Sequence, residues 1–382
     1  MALTDKLTAV ADSIRAKTGK NDLLTLDEMP NEIGSISSLA DIPKDVLTIK
    51  GGEFQSFTTN EFWKRVFPYI INNIETADLT TLSSAFNGIN VDHIPFEINC
   101  KAGTNVTLSK AFAYSYIKSV PKINNCRPSD LSYMFSGCNY LTEIPEDDLI
   151  DWFDWSYIDG STSGSAGSLS QFCAYCGSLR KLPLKIYRKA NPYSTYSNAF
   201  YASVLSSCYR VAEAVDIPIP YVNPMTSNMF SNSFTKAAML KRFTFEMPDG
   251  QPKTVQWKSQ TIDLSSNAGY IGITDEQRYF LEYNNDITVQ DKVSNSTSYE
   301  ALKNTPNWYT NSFYFARYNH DSAVETINSL PDTSAYLAEA GGTNTIKFLK
   351  NCGRDTDGGA IGNLTAEEIA VATAKGWTVT LV

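Results

Sequence analysis

Leucine and phenylalanine recur through the middle of this chain at a fixed offset, with small and polar residues between them. In "LSYMFSGCNYLTEIP", residues 131–145, the apolar positions are Leu131, Met134, Phe135, Leu141 and Ile144, and Pro145 closes the run. Residues 169–183, "LSQFCAYCGSLRKLP", align with it without a gap, placing Phe172 on Met134, Cys173 on Phe135 and Cys176 on Cys138. Shorter copies lie upstream as "LSSAFNGINVDHIP" from Leu82 and "LSKAFAYSYIKSVP" from Leu108. Two worn copies follow, "YSNAFYAS" from Tyr196 and "TSNMFSNS" from Thr226. Copies roughly 23 to 38 residues apart have the period of a repeat array.

Within a copy, Leu and Phe four residues apart predict a short helix with both on one face. The alternation in "LTEIP" and "LRKLP" predicts a short strand that Pro ends. One such unit cannot bury its apolar side, whereas stacked units bury one another. Phe86, Phe112 and Phe135 are therefore expected in one shared core.

The segments around the repeats differ. In residues 1–37, Leu3, Leu7, Val10, Ala11 and Ile14 fall on one helix face. Thr4 or Asp5 is the expected cap and Gly19 the left-handed end, with a second short helix between Asp27 and Ile33. A lone helix of this length is marginal in water. Its stripe of Leu3, Leu7, Val10 and Ile14 is read as a self-association face, the alternative being packing on its own chain. Residues 38–78 read as a connector and N-terminal cap, with short strands in "LADIPKDVLTIKGG" and a helix starting at Asn60. The regular array occupies 79–250, interrupted by "EDDLIDWFDWSYIDGSTSGSAGS" at 146–168. Residues 251–382 hold larger, irregular units and a C-terminal cap. Capping boxes are expected at Thr274 with Gln277, Ser322 with Glu325, and Thr365 with Glu368. Leu364 and Ile369 would staple the last of these, "TIKFL" and "WTVTLV" read as strands, and Gly376 ends the final helix.

The "MFSGCxxLxxIP" core resembles the bacterial surface-type leucine-rich repeats of Firmicutes and their phages. The end, from "AVETINSLPDTSAYLAEAGG" to "ATAKGWTVTLV", is similar to the C-terminal end of phage versions. The start, "LTAVADSIRAKTGKNDLLTLDEMPNEIGSI", resembles an N-terminal module of phage tail-associated proteins. The resemblance implies an α/β fold: a leucine-rich-repeat-like solenoid with short helices and a narrow parallel sheet, preceded by a small helical attachment module. It also implies a virion tail fibre or baseplate-attached protein that docks through its N-terminus on other tail proteins as a homotrimer and touches host-surface glycan or protein. A depolymerase on the tail and a bacterial adhesin or scaffold are the alternatives.

Composition narrows these readings. The net charge is -9 with no basic stripe, which argues against nucleic acid and anionic lipid as partners. No apolar run is long enough to span a membrane. The first residues lack the apolar block of a signal peptide, as expected of a protein made in a host cytoplasm and released by lysis. Seven cysteines in a chain of 382 residues argue against a disulfide scaffold. The "CAYC" of Cys173 and Cys176 falls on repeat positions and reads as buried core. Only His93 and His320 are present, which disfavours nucleophilic triads, and no cofactor or metal site is expected. "GRDTDGGAIG" at 353–362 offers Asp355 and Asp357 but reads as a glycine-rich turn and not a calcium loop.

Two aromatic groups remain. In "EDDLIDWFDW", Asp147, Asp148, Asp151 and Asp154 alternate with Trp152, Phe153 and Trp155. Trp152, Trp155, Asp151 and Asp154 are candidate glycan contacts. The same residues fit a glycosidase if two carboxyls straddle a sugar, or a loop that merely packs its tryptophans. In "NWYTNSFYFARY", Trp308 and Tyr309 are the second candidate contact, with half the rings expected in the core.

Overall fold

A computed structural model describes residues 3–19, 47–53, 69–155, 169–190, 201–208, 210–220, 224–235, 237, 240, 242–267, 320–348 and 364–382. The expected elements at Asp27–Ile33, Asn60, Thr274 and 353–362 lie outside these residues, as do Trp308 and Tyr309.

The repeated run is not helical. In Leu82–Ile89, the amides of Ala85, Asn87 and Ile89 turn back to the carbonyls of Leu82, Ser84 and Phe86 at 3.0, 3.3 and 3.2 Å. The alternate amides, of Ser84, Phe86 and Gly88, point outward to Ser109, Ala111 and Ala113 of the next copy at 3.0, 2.7 and 2.8 Å. Each of the first five copies is thus a chain of tight turns laddered to its successor. Turns of this kind place a residue at positive φ in their third position. Ser84, Lys110, Tyr133, Gln171, Ser203 and Asn232 hold that place, with φ between 54° and 59°. Leu and Phe share the inner side because two turns separate them, and not through helical periodicity. The backbone is satisfied along the coil and across it, which a buried non-helical chain requires.

The ladder also corrects the register of the worn copies. Lys110, Tyr133 and Gln171 donate to Ser132, Ser170 and Ala202, each at 3.0 Å, and Ser203 donates to Ser231 at 2.9 Å. The fifth and sixth copies therefore begin at Tyr201 and Phe230, several residues after the positions that the "NAF" and "NMF" matches suggest. Those matches align the conspicuous phenylalanines, whereas the structure aligns the turns.

Strands lie before the turns, not in the "LTEIP" segments. β1 (Thr48–Lys50) pairs with β2 (Glu75–Ala77). β3 (Ile98–Asn99) and β4 (Asn105–Thr107) pair with β5 (Ile123–Asn124) and β6 (Arg127–Asp130) one copy later. After Pro145 and Pro183 come helices instead, α2 (Glu146–Trp152) and α3 (Leu184–Ala190). Then β7 (Glu213–Ile217) pairs with β8 (Arg242–Phe245). β9 (Thr261–Asp263), β10 (Asn344–Phe348) and β11 (Trp377–Leu381) form a three-stranded sheet with β10 in the middle. Every one of these pairings is parallel, so the described chain is a mixed helix-and-strand fold with small open parallel sheets.

One buried cluster extends from Ala11 to Trp377. Phe86 stacks on Phe112 and Phe112 on Phe135, at 5.4 and 5.6 Å between centroids and 9° between planes in both cases. Phe172 meets Phe135 edge-on at 5.4 Å because it stands one place earlier in its copy, on the Met134 position. The neighbouring place is then held by the small Cys173, so Ala111–Phe112, Met134–Phe135 and Phe172–Cys173 fill the same slice with redistributed volume. Tyr187 of α3, Tyr201, Phe230 and Trp257 continue the contact chain. Each such ring is worth about 1.5–3 kcal/mol of burial, and the aromatic geometry adds about 0.5–1.5 kcal/mol per pair.

The six described cysteines are free and buried. The thiols of Cys138, Cys176 and Cys208 donate to the carbonyls of Phe112, Phe135 and Cys173 one copy earlier. Burial pushes Cys138 up to about 11 and Cys208 up to about 12, so these thiols stay protonated rungs of the core.

At the N-terminal end, α1 (Leu3–Thr18) already includes Thr4 and Asp5, which are not its cap. Gly19 ends it at φ 71°. Ile14 is fully buried among the chain's own core residues and Ala11 nearly so, so α1 finds cover for this part of its stripe without a partner. This corrects the assignment of Ile14 to a self-association face. The side chains of Leu3, Leu7 and Val10 lie outside the described residues.

Near the C-terminal end, α4 (His320–Ser329) starts before Ser322, so no capping box forms there, and Glu325 instead grips Arg242 of β8 through two contacts of 3.0 and 2.5 Å. α5 (Ser334–Ala340) and α6 (Ala366–Ala374) follow. α6 carries the expected capping box of Thr365 and Glu368, with Leu364 buried and Ile369 packed on the same core. Among the described residues, no helix is long and apolar enough to cross a membrane.

Candidate functional site

The "EDDLIDWFDW" segment separates into groups with different environments. Leu149 is buried under α2, and Glu146 is nearly so. The Glu146 carboxylate accepts the Lys185 amide at 2.5 Å and faces Lys181 Nζ at 2.9 Å, while Asp147 meets Lys185 Nζ at 2.7 Å. These two acids clamp α2 to α3 of the next copy. Trp155 is buried, with its indole N–H donating to the Ile150 carbonyl at 3.2 Å and its ring 5.6 Å from that of Phe153. It belongs to the core and offers no surface to a glycan, which corrects its place among the candidate contacts. A tryptophan that follows a helix by three residues reads the same way in sequence whether it turns in or out.

The other three residues converge. The chain leaves α2 and lays Phe153 in parallel register beside Cys126, with the Asp154 amide donating to the Cys126 carbonyl at 2.8 Å. This rung carries Asp151, Trp152 and Asp154 to the edge of an open groove of about 520 Å³. Its other wall comes from the preceding copies: Ala102 and Gly103, then Asn124, Asn125, Cys126 and Arg127. Trp152 is half-buried, part of its ring packed on the core and part bordering the groove. Asp154 lies 3.3 Å from Arg127 Nε. The Asn124 amide is oriented by Glu97 Oε2 at 2.7 Å and Asn99 Oδ1 at 2.9 Å, and Asn125 turns the chain at φ 55°.

Comparison with known proteins found no matching family model, no matching curated protein and no matching solved structure.

The groove therefore has to be read from its own chemistry. It combines an aromatic ring with fixed carboxamide, carboxylate and guanidinium groups, a donor and acceptor set suited to a polyhydroxylated ligand. Arg127, Asn124 and Asn125 escape a reading of the sequence, because nothing in "INNCRPSD" stands out locally. The available signal is periodic: residues just before one "LS" run stack beside those just before the next, and an insertion between runs borders them. Among the described residues, no group of three or more His, Cys, Asp or Glu side chains is placed to hold a metal ion.

Proposed function

We propose that the chain is a phage virion protein, a tail fibre or baseplate-attached receptor-binding protein built as a leucine-rich-repeat-like solenoid, that recognises the host cell surface. The observation that carries this reading is the unbroken aromatic contact chain from Phe86 to Trp257, over which successive coils ladder in parallel. Such a body presents side chains at a regular rise and suits contact with an extended surface more than enclosure of a small substrate. The groove at Trp152, Asp151, Asp154 and Arg127 is the proposed host-glycan contact. The N-terminal segment, resembling a tail-associated module, is the proposed attachment to other tail proteins in a homotrimer.

Imaging of assembled particles with a label on the chain tests this directly. The label is expected on the tail or baseplate, and particles carrying Trp152→Ala are expected to adsorb to host cells at least tenfold more slowly. Particles that assemble and adsorb normally without the chain would defeat the proposal.

One observation favours the depolymerase as a second reading: Asp151 and Asp154 border the same groove. Release of reducing ends from host glycan, lost in Asp151→Ala, would establish it. Asp154 is already engaged by Arg127, which weighs against its use as a free carboxylate across a sugar.

A further inference from the structure

The groove at Trp152 has a polarity that its hydrogen bonds fix. Thr76, Asn99 and Asn124 follow one another in successive coils, on β2, β3 and β5. Asn99 Nδ2 donates to the Thr76 carbonyl at 3.1 Å, and Asn124 Nδ2 donates to Asn99 Oδ1 at 2.9 Å. Asn124 Nδ2 also donates to Glu97 Oε2 at 2.7 Å. A carboxylate only accepts, so this contact excludes the flipped amide. The bond from Asn124, and then Lys122, hold the Glu97 carboxyl below its ordinary value, which keeps it in the accepting form. Both carboxamides thus donate back toward the first coil. What Asn124 has left is Oδ1, an acceptor, and no described residue donates to it. Linked amides polarise one another, which strengthens that last acceptor. Asn124 is one of the groove's walls.

The charged walls agree with an acceptor-lined site. They are Asp151, Asp154 and Arg127. Arg127 Nε lies 3.3 Å from Asp154, so that pair offsets itself and the Asp151 carboxylate is in excess. The two lysines nearest in sequence, Lys101 and Lys122, stand outside the lining, and Lys122 faces Glu97 at 3.3 Å. Trp152 adds an aromatic ring, whose quadrupole attracts a cation. A carboxylate, an amide oxygen and an indole together favour a ligand that brings donors and positive charge. A protonated amine, with three N–H donors and no acceptor, is such a group.

We propose that the ligand of this groove is a glycan of cationic amino sugars, hexosamines whose amino group is unacetylated, with the ammonium on Asp151 and Asn124 Oδ1 and the sugar ring against Trp152. The proposal rests on the reading of the groove as a host-glycan contact and names the chemical class of that glycan. Acetylation would remove the charge and two of the three N–H donors. A uronic acid would set a second carboxylate against Asp151.

Calorimetric titration of the full chain at about pH 6, where an amine is protonated, tests it. The ligands are the glucosamine trimer, its N-acetylated form, neutral maltotriose and anionic trigalacturonate. The glucosamine trimer is expected to bind at least tenfold more tightly than any of the others. Asp151→Asn, a change at an exposed side chain, is expected to weaken it at least tenfold. Glu143→Gln removes the same charge from an exposed residue outside the groove and is expected to change nothing. That control separates the site from attraction to the chain's net charge of -9. No binding of the glucosamine trimer, equal affinity for the acetylated or neutral trimer, or preference for trigalacturonate would overturn the proposal. So would parent-like binding by Asp151→Asn, or an equal loss in Glu143→Gln. Amino-sugar binding by a chain that particles lack would defeat the tail assignment and leave the ligand class standing. Slower adsorption of Trp152→Ala particles, with no amino sugar bound by the chain, would do the reverse.

Discussion

Phe86 and Phe112 stand in consecutive coils with their ring centroids 5.4 Å apart and their planes 9° from parallel. The Phe86 amide donates to Ala111, the residue before Phe112, so the same rung that joins the backbones sets the rings face to face. Backbone ladder and aromatic core are one device, and disturbing either should disturb both.

Phe112→Ala removes the middle ring of a stacked trio in a fully buried site. A loss of about 3–5 kcal/mol is expected, read as a lower urea midpoint. Phe112→Leu keeps most of the volume and should cost clearly less. Equal losses would show that volume and stacking are not what Phe112 provides.

Gly137 is needed for two separable reasons, a φ of 77° and the Tyr114 ring on its surface. Gly137→Ala is expected to destabilise by more than about 1 kcal/mol. In the Tyr114→Gly background the ring is gone and only the backbone strain remains, so the penalty should shrink by about 0.5 kcal/mol or more. An identical penalty in both backgrounds would show that the ring contact adds nothing.

The Arg242–Glu325 contact joins β8 to α4. The hydrogen bond from Arg242, with burial opposing it, holds the Glu325 carboxyl below its ordinary value of 4.5. Stability from a depressed carboxyl is present above that unfolded value and disappears as pH falls through the folded one. Both side chains are about two-fifths exposed, so solvent screening limits the pair to roughly 1 kcal/mol. Arg242→Ala should therefore destabilise at pH 7 and converge with the parent at low pH. A constant difference across pH would exclude the pair as its source.

His320 couples α4 to the α6 cap, with Nε2 3.1 Å from Glu368 and Nδ1 3.3 Å from Asp321. Burial lowers its pKa, but the hydrogen bonds to Asp321 and Glu368 outweigh this and leave it above 6.5. Glu368 is held below 4.5, first by the Thr365 amide of its capping box. A raised histidine contributes below its unfolded pKa and loses that contribution as pH rises through the folded one. The pair is strongest from about pH 4.5 to pH 6.5. The parent should lose melting temperature between pH 6 and pH 8, and His320→Gln should not. Matching pH profiles would refute the coupling.

These contacts show what a sequence of this kind discloses. Shared burial of Phe86, Phe112 and Phe135 was legible because it needs only a recurring apolar position. The capping box at Thr365 and Glu368 and the strands at "TIKFL" and "WTVTLV" were legible because they are local. The conformation of the repeated run was not, since Leu and Phe four apart fit a helix and a pair of turns equally, and the deciding bonds go to a coil tens of residues away. The worn copies misled through their phenylalanines, because "NAF" and "NMF" match the earlier copies by side chain while the ladder starts the turns at Tyr201 and Phe230. At the candidate groove, Asp151, Trp152 and Asp154 were visible as a cluster, but Arg127 and the asparagines join them only through the stacking of coils.

Hydrogen–deuterium exchange on Phe112→Ala tests most directly whether the coils share one hydrophobic spine. The account predicts that protection falls together at Ser84, Phe86 and Gly88 on one side and at Tyr133, Phe135 and Gly137 on the other, while β10 and β11 stay protected. Loss confined to residues 108–115, with the neighbouring coils as protected as in the parent, would contradict it.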